Sequence, residues 1–315
     1  MGGRQAESLQ EIRTDLEAIN EPGFWSIVGT FEGNWTLARF NDVNEKEFRS
    51  TGHKLELGEW RSSKSKSEYE TYVEVIRSAI ADGEVYQVNA CRLLSASILR
   101  EGDLSSLFTQ ILQENPAPFA GYLSIPGIEI ASASPERFIS RNKSSILSSP
   151  IKGTSATKEF LDKDRAENLM IVDLIRNDLG RICETGSVAT PRLLATEEHP
   201  GLFHLVSDIS GALKKGLPLS DALLEVMPPG SISGAPKSSA VKIIKANEGG
   251  RGPYCGVFGW SDGLRMELSV GIRLFWREGE FVNFGTGAGI TWDSDPASEW
   301  EETELKARRL ISLTK

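Results

Sequence analysis

Period-two segments fill the middle of this 315-residue chain, with only a few helical stretches between them. Residues 84–99 read as a strand carrying Tyr86, Gln87 and Asn89. Residues 121–125 and 128–132 read as two more strands that turn at Pro126-Gly127, a hairpin signal. Further strands are expected within 24–60, which is rich in Trp and Phe, at 202–213 and through 254–283. A helix is expected over 67–83, where Tyr72, Val75, Ile76, Ala79 and Ile80 share a face and Gly83 ends it. Others are expected at 104–113, 159–181, 235–247 and 299–313. Residues 169–179 are apolar almost all round except for Asp173, Arg176, Asn177 and Asp178, which predicts a buried helix whose polar groups find internal partners. Ser233 is the expected N-cap of the helix at 235, with Pro236 in its first turn. A strand-dense chain with helices at these places fits one α+β unit. Length alone suggests about two domains, but the polar stretches 61–67 and 214–216 are too short to be linkers.

Composition narrows the partners. A formal net charge of −9 argues against nucleic acid or an anionic membrane. An anionic substrate would therefore need locally concentrated cations or a metal. No apolar run approaches the roughly 18 residues of a membrane span, and the charged first twenty residues lack a signal core, so no export is expected. Cys91, Cys183 and Cys255 are odd in number and widely spaced, which fits reduced thiols in the cytoplasm. His53, His199 and His204 have no ligand spacing, so a divalent metal would sit on carboxylates.

Several residues could carry chemistry. Lys152 lies in Pro150-Ile151-Lys152-Gly153-Thr154, read as a tight turn before a charged helix. An ordinary lysine is only about 0.1% neutral near pH 7.4, so a nucleophilic one needs a desolvated or cationic site. Glu299 and Glu302 share a helix face and, with Glu167, could form an oxygen-only site for Mg²⁺. Taken alone they are a solvated face, and Glu302 with Lys306 is an ordinary i,i+4 pair. The stretch Gly285-Thr286-Gly287-Ala288-Gly289 reads as a loop whose amides can approach a carboxylate, and it lacks the crossover unit of a dinucleotide site. Glu136, in Ser134-Pro135-Glu136, ends a strand where a carboxylic acid could protonate a leaving group. His204, between Phe203 and Leu205, reads as a hydrogen-bonded core histidine.

The ordered set YQVN (86–89), SPERF (134–138), PIKGT (150–154), KDRAENLMIVDLIRNDLGR (163–181), HLVS (204–207), PGSISGAPK (229–237), YCGVFG (254–259), GTGAGI (285–290) and DSDPASEWEET (293–303) resembles the chorismate-utilising enzymes. The resemblance covers about residues 67–315. Within that family, the combination of Gln87 and Lys152 is similar to the aminodeoxychorismate synthases. Isochorismate and salicylate synthases look for a lysine at the place of Gln87, and anthranilate synthases carry alanine at the place of Lys152.

The resemblance implies two large, mostly antiparallel sheets packed face to face with helices outside. It implies a single chorismate-binding catalytic domain over 1–315, with 1–66 a reduced N-terminal lobe and 67–315 the catalytic core. The shortened lobe implies no tryptophan pocket. The implied ligands are chorismate and Mg²⁺, the latter on Glu167, Glu299 and Glu302. Arg273, Lys306, Ser231, Gln87 and the backbone at Gly285, Thr286 and Gly287 are the implied substrate contacts. Lys152 is the implied nucleophile, Glu136 the acid, and His204 an orienting group near the enolpyruvyl side chain. The implied reaction gives 4-amino-4-deoxychorismate, a folate precursor, with ammonia from a separate glutamine amidotransferase subunit. Anthranilate synthase component I is one rival reading. A catalytically silent subunit that docks an amidotransferase is another, and the retained set Glu136, Lys152, Glu167 and Glu302 speaks against it.

Overall fold

In the structure, a computed structural model that describes residues 1–50, 52–155, 157–199 and 202–315, the strands gather into two sheets. The ten-stranded sheet runs β1 (Arg4–Arg13), β3 (Trp35–Glu45), β2 (Phe24–Gly29), β15 (Val257–Ser261), β16 (Arg265–Val270), β9 (Arg137–Asn142), β10 (Ser145–Ser149), β13 (Leu202–Ala212) and β11 (Ile151–Ser155), and β12 (Ala189–His199) also pairs with β13. The eight-stranded sheet runs β14 (Gly234–Ala235), β6 (Gln87–Arg100), β18 (Phe281–Ile290), β17 (Leu274–Glu278), β8 (Ile128–Ser134) and β7 (Phe119–Ile125), with β4 (Glu56–Leu57) and β5 (Arg61–Ser62) beside β6. These strands pair antiparallel throughout.

Among the described residues six α-helices complete the fold: α1 (Lys66–Ala81), α2 (Ser105–Glu114), α3 (Asp162–Ile182), α4 (Leu219–Val226), α5 (Lys237–Asn247) and α6 (Pro296–Ser312). One core cluster joins Trp25, Ile27 and Leu37 of the first sheet to Val88, Ala90 and Ile290 of the second. The two sheets therefore share an apolar interior, as the expected α+β class requires. No described helix is long and apolar enough to cross a membrane.

The first helix starts where its cap dictates. Ser65 Oγ accepts from the Glu68 amide, and the Glu68 carboxylate accepts from the Ser65 amide at 2.7 Å, a reciprocal capping box. Tyr69, Tyr72, Val73 and Ile76 face inward while Val75 is 43% exposed, so the buried stripe is turned from the one expected. The long helix also differs from expectation. α3 buries Asn168, Ile171, Val172, Ile175, Asp178, Leu179 and Ile182, and it leaves Leu169, Asp173, Arg176 and Asn177 exposed. It is amphipathic, not enclosed. Of its flagged polar groups only Asp178 needs an internal partner, and Lys237 Nζ donates to it at 2.7 Å.

Three local expectations are corrected. Ser233 does not cap α5, because its hydroxyl donates to the Pro229 carbonyl at 3.0 Å while Gly234 and Ala235 pair with Val88 and Gln87. Lys152 lies on β11, not on a turn. Its strand shifts register against β13 between Ile151 and Thr154, and Gly153 at φ +87° supplies the left-handed residue of that irregularity. The glycine run at 285–289 is strand β18, not a loop, because it pairs residue by residue with β6.

Packing explains its glycines. A Cβ on Gly285 would lie 2.0 Å from the Tyr254 ring. Gly285→Ala should cost about 1–3 kcal/mol through overpacking, seen as a lower urea midpoint at unchanged slope. A variant as stable as the parent would show that the ring yields freely.

Candidate active site

Lys152 on β11 and Glu136 between β8 and β9 are close enough to act on each other's charge. Glu136 lies in the crossing from β8 to β9, where its amide donates to Ser134 Oγ and its carbonyl accepts from the Val270 amide. The side chain is buried at 4% exposure, and its Oε1 has no hydrogen-bond partner among the described residues. Burial raises the Glu136 pKa above the ordinary carboxyl range, against the Ser231 hydroxyl, Lys152, the Ile151 amide and Arg273, which all favour the anion. Glu136 and Ser231 also line a cavity walled by Phe138, Ile175, Leu179 and Val226, an apolar surround that penalises charge.

Burial has the opposite sign for Lys152. It lowers the ammonium's pKa, opposed by Glu167 and Glu136, assisted by Lys306 and opposed again by Glu302. The acid is thus pushed towards its protonated form and the amine towards its neutral form. That is the direction an acid–nucleophile pair needs. The charges acting on Lys152 come from three other parts of the chain: Glu136 after β8, Glu167 on α3, and Glu302 and Lys306 on α6. Lys152 is half-buried within this set and does not lie in bulk solvent.

The three candidate metal carboxylates are close enough to act on one another. Glu167 and Glu299 each feel the Glu302 charge, which adds to burial in raising their pKa values. Glu302, whose side chain is 48% exposed, is held below its ordinary value: partial desolvation would raise it, but Lys306, Lys163 and Lys152 outweigh that. Each carboxylate also has a local partner. Glu302 accepts from Lys306 at 2.6 Å, Glu167 lies 3.9 Å from Lys163, and Glu299 accepts from Ser294 at 2.6 Å. Among the described residues no three His, Cys, Asp or Glu side chains come close enough together to hold a metal ion by themselves. In donor type the set fits a hard dication, which takes one or two carboxylates together with waters and substrate oxygens.

The other candidates take distinct positions. Arg273, before β17, has φ +52° and faces Glu136; burial lowers its pKa while Glu136 raises it. Backbone strain of this kind in a non-glycine residue persists where its surroundings hold it in place. Ser231 sits on the 3₁₀ turn Gly230–Ile232, and Asn89 Nδ2 donates to its carbonyl at 3.2 Å. Gln87 opens β6 at 1% exposure, and its Nε2 has no partner among the described residues. Gln87 Nε2 and Glu136 Oε1 are thus two buried polar atoms with capacity left for a ligand. Lys306 Nζ donates to the Gly287 carbonyl at 3.0 Å. A strand residue's N–H and C=O point the same way, so the Gly287 amide also faces that edge of β18, towards α6. Thr286 instead donates its hydroxyl to the Thr303 carbonyl at 2.8 Å, and Gly285 lies beneath the Tyr254 ring. His204 is buried on β13, with its backbone opposite Thr154 of β11.

Sequence reading passed over Asn168, which is fully buried beside Glu167. Its Nδ2 donates to the Leu205 carbonyl at 3.0 Å, and Ser207 Oγ donates to its Oδ1 at 2.6 Å. Those bonds fix the register of α3 on the strand that carries His204. A polar residue at the head of an apolar helical face was the signal that could have found it.

The chorismate binding enzyme profile matches residues 30–312. The chain belongs to the chorismate binding enzyme family. Aminodeoxychorismate synthase component 1 of Escherichia coli (strain K12) is 34% identical to it, over 98% of this chain and 74% of that protein. The protein of the same name from Klebsiella aerogenes is 37% identical, over 80% of this chain and 59% of its own length. Anthranilate synthase component 1 of Aquifex aeolicus is 35% identical over 80% of this chain and 54% of its own. The chain thus spans little more than half the length of several relatives. Anthranilate synthase component I from Streptococcus pneumoniae TIGR4 superposes with a TM-score of 0.81 over 99% of this chain and 83% of that one, at 24% identity, a likeness in fold. In this family member, Lys152 of β11 is coupled electrostatically to Glu136 after β8, to Glu167 of α3 and to Glu302 of α6.

Proposed function

We propose that this chorismate-binding chain aminates chorismate to 4-amino-4-deoxychorismate, as the first component of an aminodeoxychorismate synthase. The observation that carries the reading is a half-buried Lys152 and a buried Glu136 that act on each other's charge and are shifted towards neutrality together. In the proposed reaction Glu136 gives its proton to the departing ring hydroxyl, the ring C–O bond breaks, and water leaves. The Lys152 nitrogen attacks the ring in an allylic displacement, forms a C–N bond, and returns its surplus proton to Glu136. Ammonia then forms a C–N bond to the ring as the bond to Lys152 breaks; Glu136 protonates the departing lysine nitrogen, which leaves as the free amine, and takes up the surplus proton of the new ring ammonium. Arg273, Lys306 and the outward-facing Gly287 amide hold the substrate carboxylates, with Ser231 and Gln87 offering polar contacts. Glu167, Glu299 and Glu302 would hold a Mg²⁺ ion, which when bound neutralises a substrate carboxylate and draws electron density from the ring. The relatives' names, which call them component 1, support a partner, and a glutamine amidotransferase would supply the ammonia.

Anthranilate synthases among the relatives at similar identity favour a second reading, in which the same fold releases pyruvate. Lys152 opposes it, because elimination needs no amine nucleophile at that position. With chorismate, Mg²⁺ and ammonium, the proposed reaction gives a non-fluorescent product of aminodeoxychorismate mass and no pyruvate. Fluorescent anthranilate with stoichiometric pyruvate would replace this reading by the second.

A further inference from the structure

The turn between β18 and α6 contains a buried hydroxyl that the proposed chemistry does not use. Ser294 is 2% exposed, and its Oγ accepts from the Thr291 amide at 3.0 Å while its own amide donates to the Thr291 carbonyl at 3.2 Å. An amide can only donate, so the one hydroxyl proton is left for Glu299 Oε1, 2.6 Å away. The turn is held from the other side as well. Asp295 caps α6 by accepting from the Ser298 amide at 2.9 Å, and the Glu299 amide donates to the Asp295 carbonyl at 2.9 Å. Ser294, Asp295 and Glu299 therefore form one hydrogen-bonded unit at the head of the helix.

Glu299 differs from its two companions in the kind of partner it has. Glu167 and Glu302 face charged lysines of their own helices, 50% and 46% exposed. Glu299, 6% exposed, is held by a neutral, buried donor that leaves its negative charge in place and engages Oε1. We infer that Ser294 is a positioning residue that, by engaging Oε1, would hold the Glu299 carboxylate in place with its other oxygen available to a divalent cation. This rests on the metal role proposed for Glu167, Glu299 and Glu302. An outer hydroxyl of this sort typically changes metal affinity by about 10- to 100-fold when removed.

The test is Mn²⁺ binding to the full chain without substrate, by calorimetry and by the electron paramagnetic resonance signal of free Mn²⁺, an ion suited to oxygen ligands like Mg²⁺. Ser294→Ala should weaken Mn²⁺ binding about 10-fold or more, and Ser294→Thr, which keeps the hydroxyl, should restore it. Ser294→Cys keeps the volume with a weaker donor and should fall between them, and it serves if the alanine variant does not fold. A wild type that binds Mn²⁺ alongside a Ser294→Ala variant of equal affinity overturns the positioning role while leaving the metal site standing, even if thermal stability falls. A wild type that binds no Mn²⁺ overturns the metal site and the positioning role together. Neither result touches the product assay, which tests the amination reading on its own.

Discussion

Incubated with chorismate and Mg²⁺ but no ammonia, the intact chain should gain the mass of chorismate less one water, and Lys152→Ala should gain nothing. Two steps of the proposed reaction separate under these conditions. The lysine can attack, but nothing is present to displace it. With ammonia restored, the adduct should disappear as product forms, and amination by Lys152→Ala should be lower by at least about 10³-fold, as expected when a covalent step is removed. The same substitution takes away a positive charge that now favours the anions of Glu136, Glu167 and Glu302, so those carboxyls should hold their protons to higher pH. Lys152→Arg keeps the charge without a usable nucleophile, and it should lose the adduct as completely. If Lys152→Ala turned over chorismate and ammonia at the parent rate, ammonia would be attacking directly and Lys152 would be only a counter-ion.

Much of the fold was legible because alternation and turn residues are local signals. The hairpin at Pro126-Gly127 joins β7 to β8 as read, and the helix expected from residue 67 begins at Lys66. The errors share one physical origin. Residues 285–289 look like a loop because glycines carry no pattern of their own, yet Tyr254 packing at Gly285 and the ladder with β6 demand glycine in a strand. Leu169 made α3 look enclosed, although composition does not say which side of a helix meets a neighbour. Lys152 was read on a turn because Pro150 and Gly153 flank it, whereas its strand is defined by β13, more than fifty residues away.

The candidate site divides in the same way. Residue types that chemistry would select, such as a lysine between proline and glycine or glutamates three apart, could be singled out one by one. What could not be read was their electrostatic coupling, because Glu136, Lys152, Glu167 and Glu302 come from four separate elements. The supporting residues were harder still. Ser294 and Asn168 are ordinary polar residues in sequence, and only burial and the direction of their hydrogen bonds set them apart.

Coupling also governs the effect of pH. The reactive form carries one proton on the pair, on Glu136 and not on Lys152. Below the lower of the pair's two apparent pKa values both groups are protonated and the amine is lost; above the higher, both are deprotonated and the acid is lost. Burial moves the two pKa values towards each other, Glu136 upward and Lys152 downward, which enlarges the fraction of the pair in the reactive arrangement. The parent kcat/KM should therefore trace a bell. Glu136→Gln should lower kcat by about 10²- to 10⁴-fold and change the shape as well as the height. Glutamine does not titrate, so the alkaline fall should vanish and the residual rate should rise with pH to a plateau as Lys152 becomes neutral. The rising limb should lie at lower pH than the intrinsic Lys152 titration with Glu136 ionised, because that anion no longer holds the ammonium's proton. A Glu136→Gln profile that kept both limbs would assign the acid to another group, and one that kept the parent rate would mean that the hydroxyl leaves without help from this carboxyl.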